Sequence, residues 1–196
     1  YINKLSTQSK QHIPLIMKLW EICLKYRNES ILINGLRLIE SFIFSNKLLK
    51  FYTGEIESKF NNWCIYLPDN DPDNTNDYLI NERSDLINIR SNEVTNELHK
   101  ADLSIHSKHF IKWCLIRSEC YLQNLTSSNS SDTYMDSFKS FEIEHIYSKN
   151  KYINLDIIEQ ELYKDKVENI GNLTLLEKSL NAKIQDKDYD IKRTVY

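Results

Sequence analysis

The sequence predicts a mainly α-helical protein with a small α+β part near its C-terminal end, on three observations. Gly and Pro occur only three times each in 196 residues, below the usual shares of about 7% and 5%, whereas β-sandwiches and barrels need those residues at their many turns. Apolar residues recur at helical spacing through most of the first 125 positions. Near position 140 the period shortens to two, so a strand is expected there.

Taken in order, Ile13–Arg27 carries Ile13, Ile16, Leu19, Trp20, Cys23 and Leu24 at helical spacing, with Pro14 where a first turn tolerates a missing donor. A second helix is expected from Glu29 to Ser45, burying Leu32, Leu36, Ile39, Phe42 and Ile43 and slightly weakened by Gly35. A third spans Gly54–Tyr66. The following LPDNDPDNTND, with two prolines among alternating Asp and Asn, reads as a loop. Helices resume over Arg83–Lys100 and Ser107–Gln123, the latter with Phe110, Trp113, Cys114, Ile116 and Leu122 in a thick apolar stripe. Residues 126–137 (TSSNSSDTYMDS) have a loop-forming composition and are expected to link a helical domain, 1–125, to a second module, 138–196. In that module FEIEHIY reads as a strand, LDIIEQELYKDK as a helix, NLTLL as a strand, EKSLNAKIQ as a helix, and the charged tail as another.

Composition narrows the function. Hydrophobic residues make up 41% and charged residues 27%, enough to bury a core. No run approaches the roughly 18 apolar residues of a membrane span, and the first ten residues lack the apolar stretch of a secretory signal, so a soluble, cytoplasmic protein is expected. The opening on Tyr1 without Met is expected of a fragment of a longer polypeptide. Cys23, Cys64, Cys114 and Cys120 include no CxxC pair and are expected to be reduced thiols. A net charge of −3 does not advertise nucleic-acid binding. Charge is uneven, however: residues 1–60 hold nine basic and five acidic side chains, residues 61–105 three and nine.

The chemistry concentrates after Phe141. Glu144 and His145 are adjacent on a strand, so they reach a common side only if the strand ends or twists at once. Glu144 and Asn181 are oxygen donors suited to Mg²⁺ or Mn²⁺. Imidazole, with an ordinary pKa of about 6.5, is the side chain best matched to taking a proton from water. A cation that screens phosphate beside such a base makes a phosphodiesterase. Each position has a plainer reading: a lone His is more often structural, Glu144 can be a solvent-facing strand residue, and Asn172 after Gly171 can simply cap a turn. Asn181 in mid-helix is locally unfavourable, which points to function.

Two other constellations are excluded. His106 and Cys120 would lie about 21 Å apart on one helix and cannot share a zinc ion. The Asp69–Asp73 run resembles a calcium loop, but Asn74 and Ile80 stand where that loop needs Gly and a bidentate Glu.

IEHIYSKN, followed by ENIGNLTLLEKSLNAKI and a basic, aromatic tail, resembles the HNH nuclease domain at the C-terminus of GmrSD-type modification-dependent restriction enzymes. The acidic-His-Ile step and the nine-residue interval from Asn172 to Asn181 are also similar to the HNH domain of the RNA-guided CRISPR nuclease. The resemblance covers about residues 138–196 and, less specifically, the HIPLIMKLW and LRLIESFIF segments before it. It implies a ββα-metal nuclease module following an N-terminal helical domain. It also implies a metal-dependent DNA endonuclease or nickase in bacterial antiviral defence, an architecture shared with phosphorothioate-dependent phage-defence nucleases, and an upstream nucleotide-using domain. By position, His145 matches the general base, Glu144 an acidic metal ligand, Asn172 the Asn that braces the loop presenting the base, and Asn181 the last metal-holding member. Lys183, Lys192 and Arg193 are expected to meet DNA phosphates. Ser148 departs from the family's usual Pro, which bears on the rigidity of the turn after the strand. The competing readings are a catalytically inactive HNH fold that binds DNA, a helical protein-interaction domain, and an RNA-cleaving toxin.

Overall fold

The computed structural model describes residues 10–100, 106–126 and 138–195. The expected linker, apart from Thr126, and the N-terminal stretch through Ser9 lie outside them. The chain forms two compact units, residues 1–97 and 98–196.

In the first unit, α1 (Ile13–Tyr26), α2 (Glu29–Leu49), α3 (Thr53–Tyr66) and α4 (Pro72–His99) surround an aromatic core. Phe42, Phe60 and Trp63 meet edge to face, with ring centres 4.9–5.7 Å apart. The buried face of α1 is Leu15, Leu19, Ile22 and Cys23. Ile13, Trp20 and Leu24, expected inside, are exposed. The reason is that α1 carries two apolar stripes and only one meets α2. Gly35 is buried on α2 where Leu19 comes closest: a Cβ there would lie 2.6 Å from Leu19 Cδ2. Close helix contact thus outweighs glycine's cost of about 1 kcal/mol in helix propensity.

The expected loop after Leu67 is largely the start of α4. Asp71 accepts hydrogen bonds from the backbone amides of Asp73 and Asn74, and Pro72 occupies the first turn, where its missing N–H costs nothing. Proline here begins a helix rather than breaking one. Polar clamps join α4 to its neighbours: Arg83 Nε reaches Ser41 Oγ, and Arg90 Nη1 reaches Ser45 Oγ and Asn46 Oδ1. Glu82 accepts from Trp63 Nε1 at 2.7 Å and Lys59 Nζ at 2.9 Å.

In the second unit, α5 (Lys108–Thr126) covers one face of a two-stranded antiparallel sheet, β1 (Phe141–His145) and β2 (Leu173–Glu177). Ile111 and Leu115 pack with Ile143, Ile170 and Leu173, while Ile116 and Cys120 pack with Phe138, Phe141 and Leu175. That apolar seam makes α5 part of the sheet's unit, so the compact units divide ahead of it. Burial pushes the Cys114 thiol up to about 12 and leaves it unreactive. Between the strands run α6 (Lys149–Ile153) and α7 (Ile157–Val167); after β2 come α8 (Lys178–Ile184) and α9 (Tyr189–Lys192). Among the described residues, no helix is long and apolar enough to cross a membrane.

Glu82 gives the first unit an acid-sensitive joint. Burial raises its pKa, but the hydrogen bonds from Trp63 and Lys59 and the Lys59 charge outweigh that and hold it below the ordinary 4.5. Its contribution is therefore present above that value and lost as pH falls through the depressed one. Glu82→Gln is expected to cost about 1 kcal/mol at neutral pH. In denaturant titrations followed by Trp63 fluorescence, it should flatten the loss of stability between about pH 5 and pH 3. Equal acid slopes in both proteins would contradict the assignment.

Candidate functional site

Register decides what the sheet offers. Glu142 pairs with Leu176, Glu144 with Thr174 and His145 with Leu173. Alternation puts Phe141 and Ile143 toward α5 and Glu142 and Glu144 on the opposite face, beside α8. His145 is the last residue of β1, and there the strand rule lapses. Glu142, Glu144, His145 and Asn181 line one open cleft of about 520 Å³, together with Lys149, Lys178 and Asp186. Residues far apart in the chain thus meet in one place.

The turn leaving β1 is held by Asn172, immediately before β2. Its Oδ1 accepts from Tyr147 N at 2.7 Å, and its Nδ2 donates to Tyr147 O at 3.1 Å and Val167 O at 2.9 Å. Its own carbonyl accepts from Ile146 N at 2.8 Å. One side chain therefore reads both backbone groups of the residue two beyond His145. Ser148, where a proline was expected, is buried and caps α6. Its hydroxyl donates to Asp186 Oδ1 at 2.7 Å, while Asn150 Nδ2 donates to Asp186 Oδ2 at 2.8 Å. These two bonds hold the Asp186 carboxyl below its ordinary 3.8. Hydrogen bonds fix the turn that a pyrrolidine ring would otherwise stiffen.

Lys192, expected at a DNA phosphate, is instead wholly buried. Its ammonium pairs with Glu144 Oε1 and donates to His145 O at 2.7 Å. The reason is local: α9 delivers it beneath the end of β1, where a carboxylate and a carbonyl need a cation. Lys183 and Arg193 are exposed, as phosphate contacts require.

Two carboxylates, Glu142 and Glu168, join the site without having been singled out in the sequence. Glu142 Oε2 accepts from Asn181 Nδ2 at 3.0 Å, which leaves the Asn181 carbonyl oxygen to face a ligand. Its signal was available, because residues i and i+2 of a strand share a face. Glu168 Oε2 stands 3.5 Å from His145 Nε2, a buried nitrogen for which this carboxylate is the polar neighbour among the described residues. Burial raises the Glu168 pKa, but the Lys149 ammonium bound to it, aided by His145, holds the carboxyl below 4.5. Glu168 opens the quoted ENIGNL segment, but its place beside His145 could not be read from it, since only the fold brings the end of α7 to β1.

Among the described residues, no group of three or more His, Cys, Asp and Glu side chains forms a ready cage for a metal ion. Glu142, Glu144 and Asn181 offer two carboxylates and an amide oxygen in the cleft, while both oxygens of Asp186 are taken by Ser148 and Asn150. That set fits Mg²⁺, which commonly takes one or two carboxylates and completes its shell with water and phosphate.

Residues 89–196 match the family model described as GmrSD restriction endonucleases, C-terminal domain. No curated protein and no solved structure matches the chain.

The Lys192 clamp yields a stability prediction. Lys192→Met keeps the stem but leaves the Glu144 carboxylate, 14% exposed, without its counter-charge. The second unit should lose about 3–5 kcal/mol, read from native-state hydrogen exchange of the β1 and β2 amides. A loss below about 1 kcal/mol would mean that the pair is a weak surface-type contact.

Proposed function

The chain belongs to the family of GmrSD restriction endonuclease C-terminal domains, and from that premise we propose that it is a metal-dependent DNA endonuclease or nickase of the HNH class. The observation that carries this reading is the common cleft of Glu144, His145 and Asn181, beside a turn braced by Asn172. Two antiparallel strands followed directly by α8 support a ββα arrangement around it.

In the proposed mechanism, His145 takes a proton from a water molecule whose oxygen then bonds to the scissile phosphorus, and the bond from phosphorus to the departing sugar oxygen breaks. The charged Glu168 carboxylate, kept ionised by Lys149, steadies the imidazolium that results. Asn172 holds the backbone beyond His145 in register, which makes it a positioning residue. Glu144 and Asn181, with Glu142 beside them, would hold Mg²⁺ or Mn²⁺. When bound, the cation screens the phosphate and stabilises the departing oxygen. Lys183 and Arg193 are placed to meet flanking phosphates. The cellular role that follows is the effector step of an antiphage restriction enzyme, coupled to an upstream nucleotide-using domain and acting in the cytoplasm on foreign or modified DNA.

One observation favours a second reading. Glu144 is already paired with Lys192, so the carboxylate can serve structure alone, and the cleft would then bind DNA without cutting it.

The assay is incubation of the chain with supercoiled plasmid or structured RNA, in Mg²⁺, Mn²⁺ or chelator. Plasmid should be nicked or linearised only with metal, RNA should persist, and His145→Ala should be slower by roughly 10²–10⁴-fold. Bound but uncut plasmid would favour the second reading, and undiminished cutting by a folded His145→Ala protein would overturn the base assignment.

A further inference from the structure

On the other side of the Asn172 turn lies a second cavity that the cleavage chemistry does not use. It measures about 330 Å³ and is lined by Tyr147, Tyr163, Lys166, Asn169 and Gly171. The two tyrosine rings stack on one another, 22° apart with centres separated by 5.8 Å, and both remain over one-third exposed, so the stacked pair keeps aromatic surface open to a ligand. Lys166, one helical turn beyond Tyr163 on α7, places its ammonium 5.4 Å from the Tyr163 ring centre. Asn169 Oδ1 accepts from Gly171 N at 2.8 Å, leaving the amide NH₂ as a donor at the cavity edge. Gly171 presents no side chain there. Among the described residues, no carboxylate lines the cavity, in contrast to the acidic cleft.

We propose that this cavity receives an unstacked nucleobase of the substrate strand, next to the phosphate presented to His145. A planar heterocycle is the ligand that a flat aromatic wall selects, and stacking on such a wall is tolerant of base identity. The nearby lysine answers the phosphate of the same nucleotide, and the Asn169 amide can donate to a ring nitrogen or carbonyl. Position supports the assignment: Tyr147 is two residues from His145, and its backbone is held by Asn172, so the wall and the base belong to one braced turn. The inference deepens the nuclease reading and rests on it for the identity of the strand.

The test is binding without cleavage. In chelator, the full chain is titrated into a fluorescent single-stranded DNA 12-mer containing 2-aminopurine, and into the same strand with abasic positions. The wild-type chain and Tyr163→Phe should bind the base-bearing strand and quench 2-aminopurine. Tyr163→Ala should bind it about 10–100-fold more weakly and lose the quenching, and Lys166→Ala should lose affinity with the quenching at saturation kept. The abasic strand should bind weakly to every variant. The proposal is overturned if Tyr163→Ala stays within about twofold of wild type, or if the abasic strand binds as tightly as the base-bearing one. Plasmid cleavage reports separately: a chain that cuts with His145 but fails here loses the base site alone, and one that binds bases but never cuts loses the nuclease reading alone.

Discussion

A lysine ammonium sealed from water beneath the end of a two-stranded sheet is the constraint on which the second unit depends. Lys192 has no exposed surface and meets both the Glu144 carboxylate and the His145 carbonyl. Stripping water from both ions is costly, and the cost is offset only while the contacts persist. Such an arrangement tolerates little displacement, so the last residue of β1 is held from beneath by a charge. From the side it is held by the Asn172 amide, which fixes both backbone groups of Tyr147. Between these clamps His145 lines the same cleft as the two glutamates.

On the proposed reading, the charges around that imidazole make a cation the condition for admitting phosphate. Glu142, Glu144 and Asp186 line the cleft and Glu168 stands beside His145, four carboxylates against the three ammonium groups of Lys149, Lys178 and the buried Lys192. A phosphodiester meeting those carboxylates directly would be repelled. A divalent ion held by oxygen donors reverses the local field. On the proposed mechanism the division of labour is physical: carboxylates and an amide for the cation, an imidazole for the proton, and Lys183 and Arg193 for the strand. The tyrosine-walled cavity beyond Asn172 has no carboxylates among the described residues and suits a base rather than an ion.

Much of this was legible in the residues, and the exceptions share a cause. Helical periodicity located α1, α2, α3 and α5, and the period-two segments located both strands. The motif brought Glu144, His145, Asn172 and Asn181 forward, and they surround one turn and one cleft. Periodicity could not say which of the two apolar stripes on α1 faces inward, because that depends on α2 and the close approach at Gly35. A proline after Asp71 reads equally as a breaker or a helix start, and the difference lies in the Asp71 side chain's bonds to the next amides. Glu168 and the burial of Lys192 were beyond reach because each depends on a contact spanning tens of residues. Glu142 was within reach through strand alternation.

The central claim is that an imidazole and oxygen donors from separate elements serve a single cation. Paramagnetic Mn²⁺ titrated into the full chain, with histidine ring resonances followed by NMR, tests it directly. The other imidazoles, His12, His99, His106 and His109, serve as internal references. The account predicts that His145 broadens first and selectively, and that Asn181→Ala abolishes this preference. Broadening that spares His145, or that falls on all five rings alike, would contradict it.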